Sequence, residues 1–152
     1  LEIEMTAKTI VLLNGPNLNL LGEREPHIYG HDTLVQIEER FTEQAKKAGY
    51  AVICKQSNHE GALVEAIQEA RNTTVGLIIN PGAYGHTSIA LKDAVSSYNH
   101  PIVEVHLSNV HKREAYRRHT YTSEAVQGVI CGLGADGYRL ALDWLIQKLA
   151  AH

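Results

Sequence analysis

The stretch IVEVHLS, residues 102–108, sets a carboxylate, an imidazole and a hydroxyl at alternate positions: Glu104, His106 and Ser108. Side chains alternate across a strand, so these three share one face and Val103, Val105 and Leu107 the other. A carboxylate two positions from an imidazole can orient it and stabilise its protonated form. An edge strand with one wet face would carry the same pattern. The polar row runs toward the end of the sheet where ligands bind, and this favours the functional reading.

Three further segments hold groups able to do chemistry. NGPNLNLLGEREPHIYGH, residues 14–31, carries Tyr29 with Arg24 five residues earlier and Pro26 and Gly30 as punctuation. A loop of this length can close over a site as a lid. Tyrosine, with an ordinary pKa of about 10, is a poor base at neutral pH. A guanidinium near its oxygen would favour the phenolate. The competing reading is a ring packed at the base of a loop beside an exposed arginine, and from this stretch alone it is the better one. NPGAYGHTS, residues 80–88, is a tight turn in which backbone N–H groups can approach a ligand and Thr87 or Ser88 can cap the next helix. His86, just before that cap, is either a ligand contact or a surface residue. SNVHKREAYRRH, residues 108–119, is basic, and Arg113 and Arg117 would share a face if the piece is helical. An arginine pair suits a carboxylate. Lys112 and Arg118 read as solvated surface, and Arg113 stays open.

These groups need a frame. Five short Val- and Ile-rich runs, residues 9–14, 51–56, 75–80, 102–108 and 128–134, read as strands. Between them, Leu34, Ile37, Phe41 and Ala45 have helical spacing, as do Leu63, Ala66, Ile67 and Ala70, and then Ile89, Leu91, Ala94 and Val95. A last helix runs from about Tyr138 to Leu149. Strand and helix alternate throughout, which predicts one α/β domain: a doubly wound, five-stranded parallel sheet with helices on both faces. Ligands then bind beyond the carboxyl ends of the strands, at residues 14–19, 56–59, 80–86, 106–110 and 133–136.

Composition limits the rest. The 152 residues fit a single domain over 1–152, with residues 1–7 expected to be disordered, Leu1–Glu4 to be an added extension and Met5 the natural start. A net charge of −3 argues against general nucleic-acid binding. No apolar run approaches the ~20 residues of a membrane span, and the N-terminus lacks the features of a signal peptide, so the cytoplasm is expected. Cys54 and Cys131 read as buried free thiols. Nine histidines notwithstanding, there is no helical His-x-x-x-His or Cys-x-x-Cys, so no metal site is expected. There is no Walker loop either, and GLGADG falls at the fifth strand, not the first, so it is weak evidence for a dinucleotide.

Taken together, LLNGPNLNLLGEREPHIYG, NPGAYGHTSIALKDA and PIVEVHLSNVHKREAYRRHTY resemble the type II 3-dehydroquinate dehydratases, from about Lys8 to Leu149. The resemblance implies a flavodoxin-like fold and cofactor-free dehydration of 3-dehydroquinate to 3-dehydroshikimate in the shikimate pathway. By residue match, Tyr29 would be the base, Arg24 its activator, Asn17 the holder of a water at the oxyanion, and His106, backed by Glu104, the acid. Asn80, His86, Ser108, Arg117 and the Leu107 backbone would bind substrate. The family's dodecamers, built from trimers, would make this chain a homo-oligomer and bring Asp93 to a neighbour's site. Gly85 stands where the family usually has a larger residue, often Thr, and is expected to loosen the substrate pocket. Glu23 has no assigned role.

Two other readings compete. A flavodoxin-like binding or signalling module would purify yellow or carry acidic strand tips, whereas these tips carry amides. A lysine Schiff base on the same substrate would use Lys55, the one lysine plausibly placed. Borohydride added with 3-dehydroquinate should leave activity intact; covalent inactivation would favour lysine chemistry instead.

Overall fold

The Val- and Ile-rich runs pair as β1 (Lys8–Asn14), β2 (Tyr50–Gln56), β3 (Gly76–Asn80), β4 (Ile102–His106) and β5 (Gly128–Cys131). The computed structural model describes residues 8–151, and the expectations for residues 1–7 lie outside them. All strand pairs are parallel, in the order β2-β1-β3-β4-β5. The expected doubly wound, flavodoxin-like α/β sheet is present. From β1 the chain moves out to β2 and then returns to the other side of β1 as β3, so the order reverses between β1 and β3. At that reversal the two strand tips are in register, Asn14 against Asn80.

Burial follows position in the sheet. The central strands β3 and β4 are buried along their whole length, while β2, at the edge, alternates between half-buried and exposed residues. The wet-edge reading of the fourth strand is therefore overturned: β4 lies inside the sheet, and Glu104 is 0% exposed. Several bounds also differ from the sequence reading. β4 stops at His106 and β5 at Cys131, each earlier than its apolar run, because the following residues leave the ladder at the ligand end. Cys54 and Cys131 are free but only half-buried.

The helices are α1 (Pro26–Tyr29), α2 (Leu34–Lys47), α3 (Glu60–Ala70), α4 (Ile89–Ser96) and α5 (Asp136–Ala150). Leu34, Ile37, Phe41 and Ala45 of α2 join Tyr138, Ala141, Leu142 and Leu145 of α5 over Ile10, Leu12, Ile78 and Val103 on one face of the sheet. Leu63 and Ile67 of α3 join Leu91 and Val95 of α4 over Val11, Leu13, Leu77 and Ile79 on the other. Each such Leu, Ile or Phe stabilises the fold by roughly 1.5–3 kcal/mol on full burial. No helix among the described residues is long and apolar enough to cross a membrane.

Local signals fix where the helices start. Thr33 and Gln36 form a capping box on α2: the Gln36 N–H donates to Thr33 Oγ1 at 3.2 Å and the Thr33 N–H donates to Gln36 Oε1 at 3.0 Å. Ser88 caps α4, accepting from the Leu91 N–H at 2.8 Å, and its hydroxyl also donates to Glu60 at the start of α3. Thr33→Ala should lower stability by about 1 kcal/mol and the melting temperature by roughly 2–4 °C in calorimetry; an unchanged melting temperature would count against the box.

Candidate active site

Tyr29 ends the short turn α1, which opens at Pro26 after Glu25, a non-glycine residue held at φ 41°. The tyrosine is half-buried, and its oxygen accepts a hydrogen bond of 2.8 Å from Arg113 Nη1. The same nitrogen donates to Ser108 Oγ at 3.2 Å. Arg24 takes a different place: its guanidinium carbon stands 4.9 Å from the Tyr29 ring centroid, over the ring and not in the hydrogen bond to its oxygen. Arg113, left open by the sequence, is the residue at the phenol oxygen. The basic segment that carries it is not one helix. Two single turns, Val110–Lys112 and Ala115–Arg117, flank an extended Arg113, so Arg113 and Arg117 do not share a helical face. They approach one carboxylate instead, Glu114, at 3.7 Å and 2.8 Å. Hydrogen bonds from its own backbone N–H, Tyr116 and Arg117 hold the Glu114 carboxyl down at about 2.

The second cluster sits on β4. Glu104 and His106 share a face as strand alternation requires, with His106 Nε2 2.6 Å from Glu104 Oε2. Ser123, from a single turn over Thr122–Ala125, donates to the same carboxylate oxygen at 2.8 Å. A carboxylate removed from water needs such donors to stay charged. His86 stacks on His106, with centroids 6.0 Å apart and planes at 27°. His86 Nδ1 lies 2.9 Å from the His119 carbonyl oxygen. A carbonyl only accepts, so Nδ1 carries the hydrogen and Nε2 of the neutral ring is left as an acceptor. Burial favours that neutral form and lowers the pKa of His86; His106 and Arg117 add to the lowering, while the His119 contact and Glu104 oppose it.

A buried amide network underlies both clusters. The Tyr138 hydroxyl, from the first turn of α5, donates to Asn14 Oδ1 at 2.6 Å and accepts from Asn80 Nδ2 at 2.9 Å. Asn80 Oδ1 in turn accepts the Gly82 N–H at 3.1 Å, so the amide of Asn80 is oriented from two sides. Asn17 stands apart at φ 70°, exposed, with its side chain capping nothing. Asp93 is exposed on α4, and none of the residues above is among its hydrogen-bond partners. Leu107 and Ser108 are buried just beyond the end of β4. Lys55 is on the edge strand, bonded to Glu69 at 2.9 Å. Strand periodicity could not show Ser123, Tyr138 or the Arg113 contact, because all three reach the site from turns or a helix distant in sequence.

The expected loosening at Gly85 is corrected. A Cβ there would meet Pro81 Cγ at 2.9 Å, Thr120 Cγ2 at 3.0 Å and Thr122 Oγ1 at 3.2 Å. The space a larger side chain would need is filled by these neighbours.

Comparison with known proteins bears on what this geometry serves. The family model described as "Dehydroquinase class II" matches residues 8–146. The chain belongs to the class II dehydroquinase family. It is 55% identical to the 3-dehydroquinate dehydratase of Rhodopseudomonas palustris (strain BisA53) over 143 residues, covering 93% of this chain and 95% of that one. With the protein of that name from Herminiimonas arsenicoxydans it shares 54% identity, covering 94% and 99%. Its backbone matches the crystal structure of type II dehydroquinase from Propionibacterium acnes with a TM-score of 0.89 at 41% identity, covering 93% of this chain and 98% of that one. The resemblance read from the three motifs is borne out, and with it the enzyme class, type II 3-dehydroquinate dehydratase.

Gly85→Ala should destabilise the fold by about 1–3 kcal/mol through overpacking against Pro81 and Thr120. Denaturant unfolding checks this, and an unchanged midpoint would contradict the packing described.

Proposed function

We propose that this chain removes water from 3-dehydroquinate, giving 3-dehydroshikimate, through an enolate intermediate. The observation that carries the reading is the 2.8 Å hydrogen bond from Arg113 to the Tyr29 oxygen. A guanidinium against that oxygen, with a second over the ring, places positive charge where the negative charge of a phenolate would sit. Arg113 and Arg24 thus divide the activating role. The phenolate takes a proton from the carbon beside the ketone, and the electron pair of the broken C–H bond moves onto the ketone oxygen as an enolate. Asn17, through a water, hydrogen-bonds that oxygen.

In the second step the enolate collapses and the C–O bond to the departing hydroxyl breaks. His106 supplies the proton, so the group leaves as water. With Nε2 against Glu104, the proton comes from Nδ1. The 2.6 Å contact with Glu104 orients the imidazole for that transfer. No cofactor enters the scheme. An α-carbonyl proton is weakly acidic, so base and oxyanion stabilisation are both needed: typically about 10²–10⁴-fold from general acid–base catalysis and about 10²–10³-fold from one oxyanion donor.

His86 Nε2, the remaining amide hydrogen of Asn80, Ser108, Arg117 and the Leu107 backbone hold the substrate's hydroxyls and carboxylate. Asp93 serves a neighbouring subunit in a dodecamer built from trimers, and the enzyme acts in the cytoplasm. Tyr29→Phe should lower kcat by about 10²–10⁴-fold with circular dichroism and melting unchanged, followed by the absorbance of the conjugated enone product. Arg113→Ala should lose about 10²-fold, and Arg113→Lys should not restore it fully, because a compact ammonium does not reproduce the guanidinium fork. Near-normal turnover of Tyr29→Phe would refute the base assignment.

A further inference from the structure

Asn17 is one of two non-glycine residues with positive φ among the described residues, at 70°. A single residue in the left-handed region costs on the order of 1 kcal/mol or more and persists only where its surroundings hold it. What holds Asn17 is Asn58. The Asn17 N–H donates to Asn58 Oδ1 at 3.0 Å, from the tip of β2. That oxygen also accepts from Gln56 Nε2 at 3.2 Å, and Gln56 Nε2 reaches the Gly15 carbonyl at 3.1 Å. The Asn58 backbone carbonyl accepts the Tyr84 hydroxyl at 2.8 Å, from the turn after β3. One residue therefore ties together three of the loops at the ligand end of the sheet.

We infer that Asn58 is a positioning residue for the dehydration, holding the Asn17 backbone left-handed so that the Asn17 amide is presented to the oxyanion instead of folding back as a helix cap. The inference rests on the role proposed for Asn17 and extends it to a residue that does not touch the reacting atoms. An asparagine at a helix N-cap ordinarily turns its side chain onto the first free backbone N–H groups. Asn17 occupies the N-cap of the turn Leu18–Leu20 and makes no such bond. Its backbone is left-handed instead, and its N–H is the one Asn58 receives. Gln56 braces the acceptor, and Tyr84 fixes the loop that bears it. Removing the Asn58 amide frees the Asn17 N–H and lets the backbone relax toward φ below zero, where the side chain can cap.

The test has two arms. In the first, hydrogen exchange of the Asn17 amide is followed by NMR in the natural chain, in Asn58→Ala and in Asn58→Asp, which keeps an acceptor oxygen in place. Exchange should quicken at least about tenfold in Asn58→Ala and stay slow in Asn58→Asp; equal rates in all three would overturn the inference. In the second, Asn17→Ala, Asn58→Ala and the double variant are compared by kcat and KM. Asn17→Ala should lose about 10²-fold in kcat, Asn58→Ala about tenfold with KM within about twofold, and the double variant no more than Asn17→Ala alone. Losses that multiply would overturn the inference, since Asn58 would then act apart from Asn17. Normal turnover of Asn17→Ala would instead refute the role of Asn17, and the exchange arm still decides whether Asn58 holds it.

Discussion

One contact ties the ligand end of the sheet together: a guanidinium held against the oxygen of a tyrosine. The cation, Arg113, lies 84 residues from Tyr29. Only the sheet order brings the two together. β1 and β4 run parallel with β3 between them, so the loop leaving β1 and the loop leaving β4 emerge at the same end of the sheet. Neither loop is a regular element of any length. Each is pinned instead by short turns, Pro26–Tyr29 on one side and Val110–Lys112 with Ala115–Arg117 on the other.

A second constraint is electrostatic. β4 is buried on both faces, yet it carries a carboxylate that is fully enclosed. Burying such a charge costs several kcal/mol unless it is paired and hydrogen-bonded. Glu104 meets this condition through His106 and Ser123, both on Oε2, while Oε1 has no partner among the described residues. The pairing fixes which nitrogen of His106 faces the carboxylate and which is left free. Stability and geometry thus draw on the same contact. The amide network beneath works the same way: Tyr138 satisfies Asn14 and Asn80 inside the sheet and orients the turn at Gly82 as it does so.

Much of this was legible in the residues, and the limits have physical reasons. Strand–helix alternation gave the architecture because parallel sheets leave continuous apolar runs. The Glu104–His106 pair was legible because period-two alternation makes i and i+2 neighbours. Nearness in sequence points to Arg24 as the group at the Tyr29 oxygen; it lies over the ring, and Arg113 holds the oxygen, a contact that no local spacing encodes. The shared face of Arg113 and Arg117 required a helix, and the segment is two short turns with Arg113 extended between them, both guanidinium groups reaching Glu114. Gly85 sits beside a proposed substrate contact in sequence, but its neighbours in space are Pro81, Thr120 and Thr122. Tyr138 enters the sequence only as the start of the last helix; the tertiary fold seats its hydroxyl between two amides.

The most direct test of the central claim is a crystal structure of the chain with a bound, unreactive analogue of 3-dehydroquinate. The Tyr29 oxygen, still bonded to Arg113, is expected within about 3–3.5 Å of the carbon beside the ketone, with His106 Nδ1 facing the position of the departing hydroxyl. A closed site with the Tyr29 oxygen turned away from that carbon, or with Arg113 separated from it, would contradict the proposed role of Tyr29 as base.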